Sequence, residues 1–317
     1  TLLSEFAPAG VRARILTAAG GSFTLGWALA GLVAMGVVPH FGWRMVLLIG
    51  ILPVFVIPAL RAYLPESVRF LIVKNRYPDA TREIQKIEKL ARIKPRTWNT
   101  DAFAQAGPLS NAGLREVLRP GLRVMTVFVW GTYLFSMLAL YGLSTWLPAL
   151  LANSGFSLVK SYSFGIVQSL GAFVGGYLLG CLMDAFGRKP GLCLSFFVGG
   201  LSLLLFSAVS SDLVLYIAGA ASGIFLVSIP AALHVVAGEI YPTRIRSSGL
   251  GSAYAIGRVG SITGPIIGGM VQMAGLSFSQ FFLVFSVPSF LCVILVALFP
   301  VGVKREGLEE VTAKLLK

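Results

Sequence analysis

Eight stretches of this chain are each long and apolar enough to cross a lipid bilayer. They run over residues 15–38, 43–63, 122–152, 161–183, 190–210, 212–238, 247–274 and 278–302. Crossing the hydrocarbon core takes about 20 apolar residues of helix. No water is available there to bond backbone groups, so each stretch has to be helical. The fold class that follows is all-α, a polytopic membrane helix bundle. Composition agrees: 56% of residues are hydrophobic, 12% are charged, and the mean hydropathy is +0.82. Soluble domains carry about 25% charged residues.

The net charge of +13 invites a nucleic-acid reading, but its distribution argues against one. When the loops are assigned alternately to the two sides of a membrane, Arg44 and Lys160 fall on one side and Arg258 falls inside a helix. All the other lysines and arginines fall on the opposite side. Excess Lys and Arg marks the cytoplasmic face. We therefore expect an integral protein of the plasma (inner) membrane, with both termini and the long central loop in the cytoplasm. Cys181, Cys193 and Cys292 lie in or beside apolar stretches, where a free cysteine acts as a small packing hydrophobe. No nucleotide loop, metal-ligand cluster or Ser/His/Asp set stands out. The expectation is a monomer without a cofactor, without a nucleic-acid partner and without enzymatic activity.

A phrase used twice gives the organisation. Glu5-x-x-Pro8-x-x-x-Arg12 recurs as Glu239-x-x-Pro242-x-x-x-Arg246, each copy just before a long apolar stretch. An internal repeat in so apolar a chain points to a secondary transporter built from two symmetric bundles. The offset between the copies places about 110 residues, roughly four helices, ahead of Thr1, for twelve helices arranged six plus six. On that scheme residues 1–63 close the first bundle as its fifth and sixth helices. Residues 64–120 form a cytoplasmic loop, 121–302 the second six-helix bundle, and 303–317 a cytoplasmic tail. Within the loop, Asp79 to Lys94 reads as an amphipathic helix striped by Ile84, Ile87 and Leu90. Pro53, Pro58, Pro230 and Pro265 should kink or loosen their helices. Glycines four apart, such as Gly171/Gly175 and Gly260/Gly264/Gly268, predict close helix approach.

Three motifs carry a family resemblance. Gly180-x-x-x-Asp184-Ala-Phe-Gly187-Arg188-Lys189 resembles the signature loop of the major facilitator superfamily, with Ala185 where a basic residue is usual. The repeated E-x-x-P-x-x-x-R fits the same superfamily. Leu64-Pro65-Glu66-Ser67-Val68-Arg69 resembles a motif after the sixth helix of sugar-porter relatives, with Val68 in place of proline. The resemblance implies a cytoplasmic gate of paired charges. Asp184, Gly187, Arg188, Lys189, Glu239 and Arg246 would serve the second half, and Glu5 and Arg12 the first. Glycine permits the tight turn, and a charge network with two packings suits a switching interface. The 122–152 stretch lacks the glutamines of hexose carriers. Trp146-Leu-Pro148, Gly155-x4-Lys160 and Tyr254-x2-Gly257-Arg258-x-Gly260 are similar to the metabolite:proton symporters, the branch of nicotinate-type and aromatic-acid carriers. What that implies is uptake of a small organic acid, with protons as the second partner.

The residues support an anion independently. Arg258 lies about 15 Å below the membrane surface at 1.5 Å per residue. An arginine at such a depth costs roughly 2.5–3.5 kcal/mol to insert unless it faces a cavity or a partner. No acidic residue occupies the middle of any apolar stretch here, and the guanidinium fork matches a carboxylate. Further candidates for the substrate site are His234, Gln168, Tyr133 and Tyr141. Tyr133 and Tyr141 share a face with Met137 and Ser144, and Trp27 is a weaker candidate. Packing or structural pairing can account for each of these residues as well. Two rivals stay open. Gly251-x8-Gly260-x3-Gly264-Pro265-x2-Gly268-Gly269 has the spacing of an efflux antiporter motif, although that motif lies on the fifth helix in efflux relatives. A transporter-like sensor that binds without translocating is the other.

Overall fold

The structure is a computed structural model that describes residues 12–73, 76–90, 114–208, 211–241 and 245–299. Every regular element among these residues is helical. The chain divides into two compact units, Thr1–Leu16 with Arg44–Asn111 and Thr17–Trp43 with Ala112–Lys317. Most of helix α1 (Arg12–Phe41) belongs with the larger, carboxyl-terminal unit.

In the smaller unit the apolar stretch 43–63 is not one helix. It breaks into α2 (Trp43–Ile49), a 3-10 turn (Leu52–Val56) and α3 (Ile57–Tyr63). Pro53 and Pro58 stand at the starts of the last two pieces, where a missing N–H costs nothing. No residue from Trp43 to Val56 is buried, and apart from Arg44 the exposed side chains are apolar. That surface suits a lipid solvent. Beyond it, α4 (Val68–Val73) and α5 (Tyr77–Leu90) pack together and bury Leu71 and Ala80. The amphipathic helix therefore forms, with Ile84 and Ile87 half-buried, and its outer face carries the pairs Arg76–Asp79 at 2.8 Å and Lys86–Glu83 at 2.6 Å. Exposed pairs of this kind add little stability.

The larger unit is built around α7 (Arg123–Asn153), after the short α6 (Leu114–Val117). It continues through α8 (Leu158–Phe186), α9 (Arg188–Ala208), α10 (Asp212–Ser222), a π-segment (Gly223–Val227), α11 (Ile229–Ile240), α12 (Arg246–Met273) and α13 (Phe278–Ala297). Local chemistry sets the boundaries. Ser157 caps α8 by accepting from the Lys160 N–H, and Ser277 and Gln280 form a reciprocal capping box at α13. Gly187, at φ 95°, turns α8 into α9 in a single residue, a conformation that favours glycine. Buried hydroxyls such as Thr132, Ser169 and Ser195 donate back to carbonyls one turn earlier, so they need no other partner.

Glycine governs which helices meet. α12 runs parallel to α7, and Gly257, Gly260, Gly264 and Gly268 line the seam against Tyr133, Leu134, Leu138 and Trp146. A Cβ on Gly260 would lie 2.1 Å from the Leu134 carbonyl oxygen. Of the glycines that resemble an efflux motif, Gly260, Gly264 and Gly268 are thus occupied in helix packing, whereas Gly251 faces open space. Two indoles tie the same seam: Trp130 donates to Ser252 Oγ at 3.1 Å and Trp146 to the Pro265 carbonyl at 3.0 Å. α8 lies against α10 and the π-segment through Gly171, Gly175 and Gly223.

Among the described residues, seven helical stretches are long and apolar enough to cross a membrane, where the sequence suggested eight. The exception is α12, which forms a full 28-residue helix but is rich in glycine and serine and carries Arg246 and Arg258. Its small residues are turned into the seam with α7, so less apolar surface is needed on the remaining faces. The break between α10 and α11 falls where Pro230 was expected to loosen the helix, and it takes a π form. Ser228 N–H reaches back five residues to the Gly223 carbonyl at 3.2 Å, and Pro230 follows at the start of α11.

Candidate functional site

Both places of interest lie in the larger unit. The first is the turn between α8 and α9. Arg188 opens α9 beside the end of α11 and donates from Nε and Nη2 to the two oxygens of Glu239, at 3.0 and 2.9 Å. Its third nitrogen, Nη1, donates to Asp184 Oδ1 at 2.5 Å. One guanidinium therefore holds two carboxylates, one of them in the paired geometry that gives arginine its advantage over lysine. Arg188 is 22% exposed and Glu239 34%, so the pair is shielded but still wetted.

The other residues predicted for this gate go elsewhere. Gly187 makes the turn. Lys189 donates to the Phe299 carbonyl at 3.2 Å, just past the end of α13, and so ties the loop to the last helix. The Arg246 Nε donates to the Tyr241 carbonyl at 3.2 Å, which closes the connection that opens α12. Glu5 and the Arg12 side chain lie outside the described residues. At the opposite end of the α8–α10 pair, Lys160 and Asp212 form a second ion pair, and Lys160 sits 5.2 Å above the Phe156 ring.

The second place is an aromatic and cationic cluster at the middle of α12. The Arg258 guanidinium stands 5.1 Å over the ring of Tyr254, one turn earlier on the same face. The His234 ring on α11 meets Tyr254 edge-on, with centroids 6.3 Å apart and planes at 87°. Tyr133 on α7 lies 6.3 Å from Tyr254 on another side, tilted by 56°. Arg258, Tyr254 and His234 are exposed, whereas Tyr133 is wholly buried and its hydroxyl has no hydrogen-bond partner among the described residues. The Arg258 side chain likewise has no hydrogen bond or ion pair there; its contact is the ring. Such a cation over an aromatic face gains about 0.5–2 kcal/mol, depending on how dry the site is. The arrangement offers a free guanidinium edge beside flat aromatic surface, which can take up a carboxylate.

Three of the five predicted substrate residues thus meet, with Tyr254 as the hub. The other two lie apart. Tyr141 packs edge-on against Trp27 of α1, with centroids 6.1 Å apart. Gln168 is buried, and its amide donates to Ser222 Oγ at 3.0 Å beside the π-segment. Tyr254 was quoted in the sequence motif but not singled out for binding. The available signal was its position four residues before an arginine inside a long helical stretch.

Comparison with known proteins supplies the context. The sequence profile of a family described as "Sugar (and other) transporter" matches residues 1–315. The chain is 30% identical over 288 residues to the niacin transporter NiaP of Acinetobacter baylyi, covering 90% of this chain and 65% of that protein. It is 31% identical over 294 residues to a gallate transporter of Pseudomonas putida, covering 92% and 64%. Among solved structures, the major facilitator superfamily proton:xylose symporter XylE of E. coli superposes with a TM-score of 0.64 at 21% identity, over 99% of this chain and 69% of that one. The chain therefore spans about two thirds of the length of the transporters it matches.

Proposed function

This chain belongs to the sugar (and other) transporter family and has the helical fold of the major facilitator superfamily, and on that premise we propose that it carries aromatic carboxylates across the plasma (inner) membrane together with protons. The whole carrier has twelve helices in two halves of six and works by alternating access. Arg258 binds the carboxylate, Tyr133 and His234 line the site around it, and Tyr141 and Gln168 flank the path. Asp184, Arg188 and Glu239 hold the cytoplasmic side closed until the bundles rock. Lys189, Arg246 and Gly187 hold the loops that present them, and Glu5 and Arg12 do the equivalent work in the other half.

The observation that carries this reading is Arg258. An exposed intramembrane guanidinium, 5.1 Å over an aromatic ring and without an acidic partner among the described residues, is costly unless something anionic visits it. Relatives named for niacin and gallate transport support a ring-bearing acid as that visitor. The test is uptake of radiolabelled benzoate or nicotinate into proteoliposomes under an inward proton gradient. Arg258→Gln should lower uptake about tenfold to a hundredfold, the worth of a charge-assisted hydrogen-bond pair of ~1.5–3 kcal/mol. Arg258→Lys should recover only part of it, because an ammonium cannot form the fork. Uptake indifferent to Arg258, or to collapse of the gradient, overturns the anion site or the coupling respectively.

A further inference from the structure

We propose that Tyr254 makes this site selective for flat, conjugated acids, by giving Arg258 an aromatic floor that a planar substrate shares. The inference rests on the reading that Arg258 takes a carboxylate, and deepens it from substrate class to the residue that chooses within the class.

The geometry begins with the helix backbone. Gly257 points into the seam with α7, where a Cβ would stand 3.3 Å from the Tyr133 ring. That contact fixes the rotation of α12. Tyr254 and Arg258, one turn apart, are then aimed together out of the seam. The Tyr254 ring is bounded by Arg258 over it, by His234 at its edge and by Tyr133 on a third side. Even so, 40% of the residue remains exposed. An aromatic ring with three protein partners and an open remainder is a wall with room for one more flat group.

The chemistry follows from the carboxylate. When a guanidinium pairs with a carboxylate through two parallel N–H bonds, the two groups lie in one plane. In a benzoate-like acid, conjugation keeps the ring in the plane of its carboxylate. Clipping such an acid to Arg258 therefore orients the ring as well, and Tyr254, with its ring centroid 5.1 Å from the guanidinium, is the aromatic surface beside it. A saturated ring of the same size is puckered, has no conjugation to hold it in the carboxylate plane, and has no π-face to offer. It keeps the ion pair with Arg258 but loses the contact with Tyr254. The tyrosine ring, more than its hydroxyl, is what matters, so phenylalanine should substitute for it.

The experiment measures equilibrium dissociation constants on the carrier containing this chain, in lipid nanodiscs. Benzoate, cyclohexanecarboxylate and the neutral benzamide are titrated against the unaltered protein and the Tyr254→Phe, Tyr254→Leu and Arg258→Gln variants. Unaltered protein should prefer benzoate to cyclohexanecarboxylate. Tyr254→Leu should reduce that preference about three- to tenfold, the usual worth of an aromatic pair, and Tyr254→Phe should leave it in place. Equal weakening of both acids by Tyr254→Leu would mean that the tyrosine merely props Arg258, and overturns the proposal. Unaltered protein that shows no preference between the two acids overturns it as well. The parent reading is judged on a different ratio: Arg258→Gln should weaken benzoate against benzamide. If it does not, the anion site fails while the effect of Tyr254 on ring preference can still be read.

Discussion

The seam between α7 and α12 allows a sharp test, because one of its glycines has no room for a single carbon. Replacing Gly260 with alanine places a Cβ 2.1 Å from the Leu134 carbonyl oxygen and 3.1 Å from the Leu138 nitrogen. An ordinary carbon–oxygen contact is about 3.3 Å, so the backbones must part by roughly 1.2 Å at this point. Both sides of the clash are main chain, so no side-chain rotamer can relieve it. Overpacking of this sort costs about 1–3 kcal/mol. Alanine also favours the helix over glycine by roughly 0.5–1 kcal/mol, which would mask part of the effect. Gly251 supplies the control, since it lies on the same helix with nothing within 4 Å of its missing Cβ. Both variants gain the same helical preference, so the difference between them isolates the steric cost. For a unit of this size, about 1–3 kcal/mol corresponds to roughly 2–12 °C in unfolding midpoint. Trp130 and Trp146 both bridge the seam, so their intrinsic fluorescence during heating in detergent reports on it directly. Equal midpoints for Gly260→Ala and Gly251→Ala would show that the helices are not pressed together there, and the packing role assigned to these glycines would be wrong.

Two further outcomes are expected. Arg188→Lys keeps the charge but loses the fork on Glu239, so a double-mutant cycle with Glu239→Gln should give a coupling of about 0.5–1.5 kcal/mol in thermal stability, held down by partial exposure of the pair; additive effects would argue that the fork contributes nothing. Cys292 is fully buried, so maleimide should label it only after denaturation, and rapid native labelling of Cys292 would contradict the packing of α13 on α7.

The apolar stretches located most of the larger unit well. The stretch 122–152 became Arg123–Asn153, and 247–274 became Arg246–Met273, because the turns between helices are announced by Gly155, Gly187 and Gly275, each at positive φ. Glycines four apart correctly forecast close approach at Gly171/Gly175 and along α12. Apolarity along the chain says nothing, however, about which partner a polar group finds. Lys189 sits in a signature loop yet bonds to Phe299, more than a hundred residues away in sequence, and Gln168 spends its amide on Ser222. Tyr254 drew no notice because a tyrosine in a membrane helix is unremarkable until its neighbours on α7 and α11 are known. The breaks in 43–63 were foreshadowed by Pro53 and Pro58, but prolines alone do not distinguish a kink from a change of helix type.

The π-segment between α10 and α11 alters how the two halves of that rod are geared. An uninterrupted α-helix advances about 100° per residue, and a π-bulge absorbs one extra residue within its turn. Every side chain after Val227 is thereby turned by about that angle from where a straight helical wheel through Asp212–Ser222 would put it. Glu239 meets Arg188, and His234 meets Tyr254, in this rotated phase. The charged end and the aromatic middle of α11 thus share one angular setting. Removing the extra residue would swing both off their partners together, so neither contact can be reset alone.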